Sequence, residues 1–390
     1  MEDNNSTKRK YDTSDREAGI VMHIVRLVFI LVIACCVYAI FRYYKLWKST
    51  GLSPIIFILI ELALTGTMVF SAFNLGKLND NWAVPILQFI SAFQFVTVIY
   101  SAIIFLVRDI IALISFIVKN SKGFRVALYS PKFAGIVLIL LSIMAIVGFI
   151  NMGVIRRNDF TINIAKKADV SSIDLAIVSD LHVGTGVQVS DISSMVEKIN
   201  AMNCDAVLIV GDIMDNNTPD CAYEVLAAEL AKLTAPKGVF FSYGNHDEVN
   251  GKMTRALNAA KVRILADRAV DLEGITLLGR KDGWGSGVKA MSDYDLDLTK
   301  PIIVMNHQPR DLNTIAEAGV DITFSGHTHG EQFPMGYFLN VPNNDNNYGI
   351  KKFGNMISFV TCGVGGWGFR FKFPSPAEIA KVTINFTGNQ

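Results

Sequence analysis

Aspartate, asparagine and histidine cluster in five short segments: Asp180 and His182 in SDLHVG, Asp212 and Asp215 in GDIMD, Asn245, His246 and Asp247 in GNHD, His307 in MNHQP, and His327 and His329 in GHTHG. The chain has six histidines, and five stand in these segments. A lone histidine is usually a satisfied structural residue; five interleaved with carboxylates and an amide point to metal chemistry. Asp180 and His182 are two apart, as are His327 and His329, so in extended chain each pair faces one way and can grip one cation or two adjacent ones. The candidate donors are the carboxylates of Asp180 and Asp212, the amide oxygen of Asn245, and the imidazoles of His182, His307, His327 and His329. No cysteine belongs to the set, and mixed oxygen and nitrogen donors favour Mn, Fe, Zn or Mg-type hydrolytic chemistry over a structural zinc knot. Seven donors are too many for one open catalytic ion but suit two sharing Asp212, the usual device for activating water against phosphate esters.

Such residues need elements that deliver them to one place. From about Asn158 onward, short β-branched runs alternate with helical segments, an α/β signature. IDLAIVSD (173–180) and DAVLIVGD (205–212) read as buried strands, with an amphipathic helix between them over 189–202 capped by Ser190. A helix over 220–232 leads to the strand GVFFSYGNHD, and one over 253–260 to VRILAD. PIIVMNH and DITFSGH flank the helix DLNTIAEAG, and the late runs MISFVTCG and AKVTINF predict a second sheet. The polar groups fall at the carboxyl ends of strands, where open α/β sheets bind ligands. Asp215 is expected to support a ligand or loop from outside the metal shell.

The rest of the chain reads differently. Hydrophobic residues make up 51% of the sequence and charged residues 18%, too apolar for an ordinary soluble enzyme. Residues 1–157 carry a net +8 and residues 158–390 a net −7, so the two parts live in different surroundings. Disorder, collagen-like architecture and a disulfide-stapled scaffold are excluded by the apolar content, the ordinary Gly and Pro counts and only five cysteines. Four apolar stretches, 21–41, 52–73, 82–106 and 133–152, are long enough to be transmembrane helices. Between the last two, Arg108 and Asp109 precede IIALISFIV, expected as a helix extension or interfacial segment. The predicted division is a polar tail at 1–19, a multi-pass membrane part at 20–157 and a globular domain at 158–390. Glu61 in the second span is expected to pair with a polar group of a neighbouring helix.

The ordered motifs DLH, GDIMD, GNHD, NH and GHTHG, over about residues 173–330, resemble the calcineurin-like metallophosphoesterase superfamily. The four-helix membrane part, GRKD at 279–282 and the C-terminal PAEIAKVTI are similar to its bacterial membrane-associated, YkuE-like branch. That resemblance implies a four-layer α/β/β/α sandwich, with Asp180, His182, Asp212 and His329 on one metal and Asp212, Asn245, His307 and His327 on the other. It further implies His246 as the catalytic acid, which Asp247 would orient, and attack by a metal-bridging hydroxide. Where relatives in this branch read GHTHGGQ, this chain has Glu331, which bears on substrate range rather than metal binding.

The expected protein is therefore a membrane-anchored phosphohydrolase with two divalent ions, Mn first and Fe, Zn or Mg as alternatives. The −7 domain argues against nucleic acid as partner, while the anchor favours a phospholipid, lipid-linked pyrophosphate or cell-envelope substrate. Competing readings are a broad phosphodiesterase or nucleotidase, or a non-enzymatic sensor or scaffold, which predicts eroded ligands. The odd cysteine count of the domain leans toward a reducing compartment; the resemblance leans toward the outer face of a cell membrane, which is the side expected here.

Overall fold

The computed structural model describes residues 30, 33–74, 82–118, 122–184, 186–215, 218–247, 251–282, 288–334 and 344–389. The predicted tail at 1–19 and most of the first span at 21–41 lie outside them. The chain divides into two compact units, one of residues 1–66 and 93–145, the other of residues 67–92 and 146–390.

Among the described residues five helices precede the first strand: α1 over 33–48, α2 (Pro54–Asn74), α3 (Ala83–Ile117), α4 (Lys122–Leu128) and α5 (Pro131–Gly153). Among the described residues three of them, α2, α3 and α5, are long and apolar enough to cross a membrane, where four spans were expected. Their outward faces are apolar: Ile55, Leu59 and Leu62 of α2 are all exposed, as side chains meeting hydrocarbon would be. In the first unit, Gln94 Nε2 donates to Glu61 Oε2 and to Thr65 Oγ1, both at 3.1 Å, which gives Glu61 the polar partner its sequence position predicts. Tyr43 and Ser101 share a buried 2.5 Å hydrogen bond between α1 and α3. The Arg108–Asp109 pair leaves α3 unbroken, because the Asp109 carboxylate takes hydrogen bonds from Arg108, Arg42 and Tyr38.

The second unit is built on two six-stranded sheets. One runs in the order β1 (Ile155–Ile164), β12 (Ala377–Phe386), β2 (Ser172–Val178), β3 (Ala206–Val210), β4 (Gly238–Ser242), β5 (Arg263–Ile264). The other runs β10 (Gly349–Phe353), β11 (Met356–Val360), β9 (Ile322–Ser325), β8 (Ile302–Met305), β7 (Ile275–Gly279), β6 (Arg268–Leu272). Both are mixed. β2, β3, β4 and β5 are mutually parallel, while β12 enters antiparallel to β2 with Ala380 opposite Ile177.

Hydrophobic alternation explains the layering. Phe240 and Phe241 are adjacent in β4 and both fully buried, yet they enter different cores because successive strand side chains point to opposite faces. Phe240 joins Leu175, Leu208, Leu277, Ile303 and Phe324 between the two sheets. Phe241 joins Val207, Ile209 and residues of α6 (Val189–Ala201), α7 (Asp220–Leu230) and α8 (Gly251–Ala259) on the outer face. α9 (Leu312–Glu317) covers the second sheet through Leu312 and Ile315. Each fully buried side chain of this size contributes roughly 1.5–3 kcal/mol. The result is the expected helix–sheet–sheet–helix sandwich.

Two details depart from expectation. β1 begins at Ile155, before the predicted boundary at 157/158, and pairs in parallel with β12 along its whole length. Helix α6 is capped by Gln188 rather than Ser190, two residues earlier: the backbone N–H of Gln188 donates to Asp191 Oδ2 at 2.8 Å, and Asp191 is locked by Arg370.

Candidate metal centre

All five polar segments follow strand ends: Asp180 and His182 after β2, Asp212 and Asp215 after β3, Asn245 to Asp247 after β4, His307 after β8, His327 and His329 after β9. Parallel strands in each sheet bring these ends together. The turns are tight: Asp180, His182, Asp212, His327 and His329 all have positive φ, between 47° and 69°. Such conformations cost about 1–2 kcal/mol per residue and concentrate where surrounding structure holds them for function. Backbone bonds do that holding here, with Asp180 N on Gly211 O at 3.1 Å and His182 N on Asp212 O at 3.0 Å. Two glycines allow the approach, since a Cβ on Gly244 would overlap Asp212 and one on Gly326 would overlap Ser179 and Asp180.

The donors converge in two adjacent groups. Asp180, His182 and His329 form one and Asp212, His307 and His327 the other, each with its ligand atoms within 4.8 Å of one another. Asp212 joins them: its Oδ2 lies 3.5 Å from His182 Nε2 and 3.1 Å from His307 Nε2. Asp180 Oδ1 lies 3.6 Å from His329 Nε2 and 3.9 Å from His182 Nε2. Asn245 is half-buried, with its Oδ1 shielded from solvent.

The residues fit divalent cations. Both ring nitrogens of His182, Nε2 of His307 and Nδ1 of His329 are buried with no hydrogen-bond partner among the described residues, an arrangement that costs about 1–3 kcal/mol per group unless something binds there. His307 Nδ1 lies 2.7 Å from the Val210 carbonyl, so with the proton on Nδ1 its Nε2 lone pair is turned toward Asp212. Electrostatics divide the donors. Burial pushes the Asp212 carboxyl up, but His307, then His182 and His246, outweigh it and hold it well below the usual carboxylate range. Burial drives His329 well below the usual imidazole range, and His182 and Lys372 add to the shift. Burial, with His307 beside it, brings His327 down to about 3. His327 and His329 therefore stay neutral, as metal ligands must; burial lowers His307 too, but Asp212 and then Asp180 outweigh it and raise that imidazole well above its usual range.

A third group, His182, Asp215 and His246, flanks the first two. His246 Nδ1 stands 3.5 Å from Asp215 Oδ1. Burial lowers the His246 pKa, but Asp215 and then Asp212 overcome it and leave the group raised. This corrects the expectation for Asp247. Both oxygens of the Asp247 carboxylate are taken by backbone N–H groups of Asp212, Ile213, Met214 and Gly244, at 2.7–3.2 Å, so it secures the Asp212 turn and cannot orient His246. Burial and the Asp212 charge push its carboxyl up to about 7.

Sequence reasoning passed over the loop beneath Asp180. Val364 N donates to Ser179 O and Gly365 N to Asp180 O, both at 3.0 Å. That loop hangs on Lys372, which is fully buried and donates from Nζ to the carbonyls of Cys362, Gly363 and Gly365. Burial lowers the Lys372 pKa. The chain around it continues outward: Ser375 Oγ donates to His329 O, and Lys372 N donates to Gly148 O in α5. The glycine-rich run GVGGWG at 363–368 was the available signal. Arg370 is committed to Asp191 and to Gly186 O. Glu331, also at positive φ, is half-buried, and burial raises its carboxyl.

Comparison with known proteins agrees with this geometry. The calcineurin-like phosphoesterase family profile matches residues 173–331. An uncharacterized metallophosphoesterase of Aquifex aeolicus is 30% identical over 60% of this chain and 94% of its own length. A transmembrane protein with metallophosphoesterase domain from Danio rerio is 25% identical over 84% of this chain and 80% of its own. The metallophosphoesterase YkuE of Bacillus subtilis is 25% identical over 54% of this chain and 78% of its own. The chain spans 60% of the length of the Helicobacter pylori metallophosphoesterases that it matches at 30% identity.

Proposed function

Because this chain belongs to the calcineurin-like metallophosphoesterase family, we propose that it is a membrane-anchored, metal-dependent phosphohydrolase that cleaves a phosphate ester or pyrophosphate. The observation that carries the reading is the pair of adjacent donor groups joined by Asp212. We assign Asp180, His182, Asp212 and His329 to one divalent ion and Asp212, Asn245, His307 and His327 to a second, with Mn the first choice and Fe, Zn or Mg as alternatives. When bound, the two ions supply an acidified water and neutralise charge on the phosphoryl oxygens. His246, its raised pKa supported by Asp215, carries the proton that the leaving oxygen takes up. Asp247 keeps the Asp212 turn in place, and Lys372 does the same for the loop under Asp180.

The chain divides, on this reading, into a polar tail at 1–19, a multi-pass membrane part at 20–157 and a catalytic domain at 158–390, with β1 of that domain reaching back across the boundary to Ile155. The −7 charge of the last part disfavours polyanionic nucleic acid. The membrane helices favour a phospholipid, a lipid-linked pyrophosphate or a cell-envelope polymer, on the outer face of a cell membrane. The test is hydrolysis of bis-p-nitrophenyl phosphate and p-nitrophenyl phosphate by the full chain in detergent, metal-stripped and then titrated with Mn²⁺. Turnover should return with metal, and His246→Ala should lower kcat by about 10²–10⁴ while leaving bound metal unchanged. Bound metal without turnover for any divalent ion would sink the enzyme reading and leave a scaffold or sensor. Lipid substrates in mixed micelles are the next comparison; hydrolysis confined to soluble nucleotides would overturn the lipid assignment.

A further inference from the structure

The first unit holds a positively charged recess that hydrolysis does not use. Arg42 and, one turn on, Lys45 in the C-terminal half of α1 and Arg108 of α3 gather around the ring of Tyr129, with their cationic groups 6.0, 5.8 and 4.6 Å from its centroid. Together with Phe41 and Ser130, they line a small recess of about 20 Å³. The one carboxylate among them is Asp109, already occupied by Tyr38, Arg42 and Arg108. Three cations against one anion leave two positive charges uncompensated. Arg42 Nε is buried with no hydrogen-bond partner, and Lys45 has no ion-pair partner among the described residues. Among the described residues of this unit the only other carboxylate is Glu61, which bonds Gln94. Ser130 lies at the N-terminus of α5, where the helix dipole adds positive potential.

We propose that this recess binds the headgroup phosphate of an anionic phospholipid. The lipid, rather than a free anion, is indicated by what surrounds the charges. Phe41, which lines the recess, is 65% exposed, and α3 runs on past Arg108 with Ile110, Ile114 and Ile117 at least half exposed. Acyl chains lying on those side chains would bring a phosphate to the cations. The level is right for a headgroup: α5 has 23 residues, about 34 Å of helix, so its first turn falls at one edge of a hydrocarbon core of about 30 Å. Basic pockets between membrane helices recognise anionic lipids by this combination of charge and apolar flank. The site rests on the membrane-spanning reading of α3 and α5, but not on the catalytic reading.

The experiment is native mass spectrometry of the full chain released from detergent, with phosphatidylglycerol, phosphatidylcholine or inorganic phosphate added. Phosphatidylglycerol should be retained about tenfold better than phosphatidylcholine, and Lys45→Gln, an exposed side chain, should lower that retention about fivefold. Lys45→Gln with Tyr129→Leu should abolish the preference. Metal-restored hydrolysis should be the same in all three proteins, which verifies their fold and separates this site from the catalytic one. Equal retention of the two lipids, or no effect of Lys45→Gln, overturns the proposal. Displacement of the lipid by millimolar inorganic phosphate assigns the recess to a free anion and overturns the lipid occupant. Release of the protein from membranes by alkaline carbonate would remove the membrane reading itself, whatever the hydrolysis assay gives.

Discussion

Two neighbouring aspartates in the centre do different work, and the difference is open to test. Asp215 faces the His246 imidazole, whereas Asp247 is surrounded by the amides of the Asp212 turn. Asp215→Asn should therefore keep two metals per chain, measured by elemental analysis, and lower kcat by at least about tenfold through its effect on His246. Asp247→Ala should instead lose metal, because four backbone N–H groups are left without their acceptor at about 1–3 kcal/mol each. The same metal content in both variants would refute this division. The sequence makes the donors themselves readable, because histidine is scarce and the motifs repeat Asp, Asn and His at strand ends. The partner of His246 is not readable: Asp247 is adjacent in sequence, but an adjacent residue in a tight turn points elsewhere, and the carboxylate that reaches the ring comes from another strand. Lys372 was equally hidden, since a lysine between aromatic residues in FRFKFP gives no sign of a fully buried ammonium.

At the scale of elements, the parallel strands carry their residues to one edge, so their order was legible from apolar runs that end in polar motifs. β2, β3, β4, β8 and β9 all stand where the pattern puts them. β1 was not legible: IRRNDFTINI alternates weakly and directly follows a membrane-type helix, and only its pairing with β12 makes it a strand. β6 and β10 are edge strands of mixed, partly charged composition, RAVDL and GIKKF, that reads like loop, and β7, apolar but only five residues long, lies next to the edge. The glycine loop at 363–365 shows what an element contributes beyond its residues. Lys372→Met should leave three buried carbonyls without a donor and destabilise the fold by about 3 kcal/mol or more, read as a lowered midpoint in denaturant. A change below about 0.5 kcal/mol would mean that the loop is held by its backbone bonds to Ser179 and Asp180 alone.

For the whole molecule, ions that bind only the native centre must stabilise it by mass action, about 2.7 kcal/mol at a hundredfold excess over the dissociation constant. Chelation should thus lower the thermal midpoint of the full chain, readdition of Mn²⁺ should restore it, and Asp180→Ala should make the midpoint insensitive to either; a midpoint indifferent to chelator in the unaltered protein would contradict a resident metal. The charge division between the two parts of the sequence anticipated an apolar helical part and a globular one, and both are present. What composition could not convey is how the globular part meets the last turns of α5. The segment from Gly365 to Ser375 leaves the Asp180 turn, meets the last turns of α5, where Phe371 packs so closely on Gly148 that a Cβ there would overlap its ring, and returns to His329. A soluble fragment cut at Asn158 would therefore lack more than an anchor. It would begin partway along β1, strip the Lys372 amide of the Gly148 carbonyl and bare the Phe371 ring to water. The most convenient place to divide this chain for expression is also one where dissection reaches the shell of the metal site.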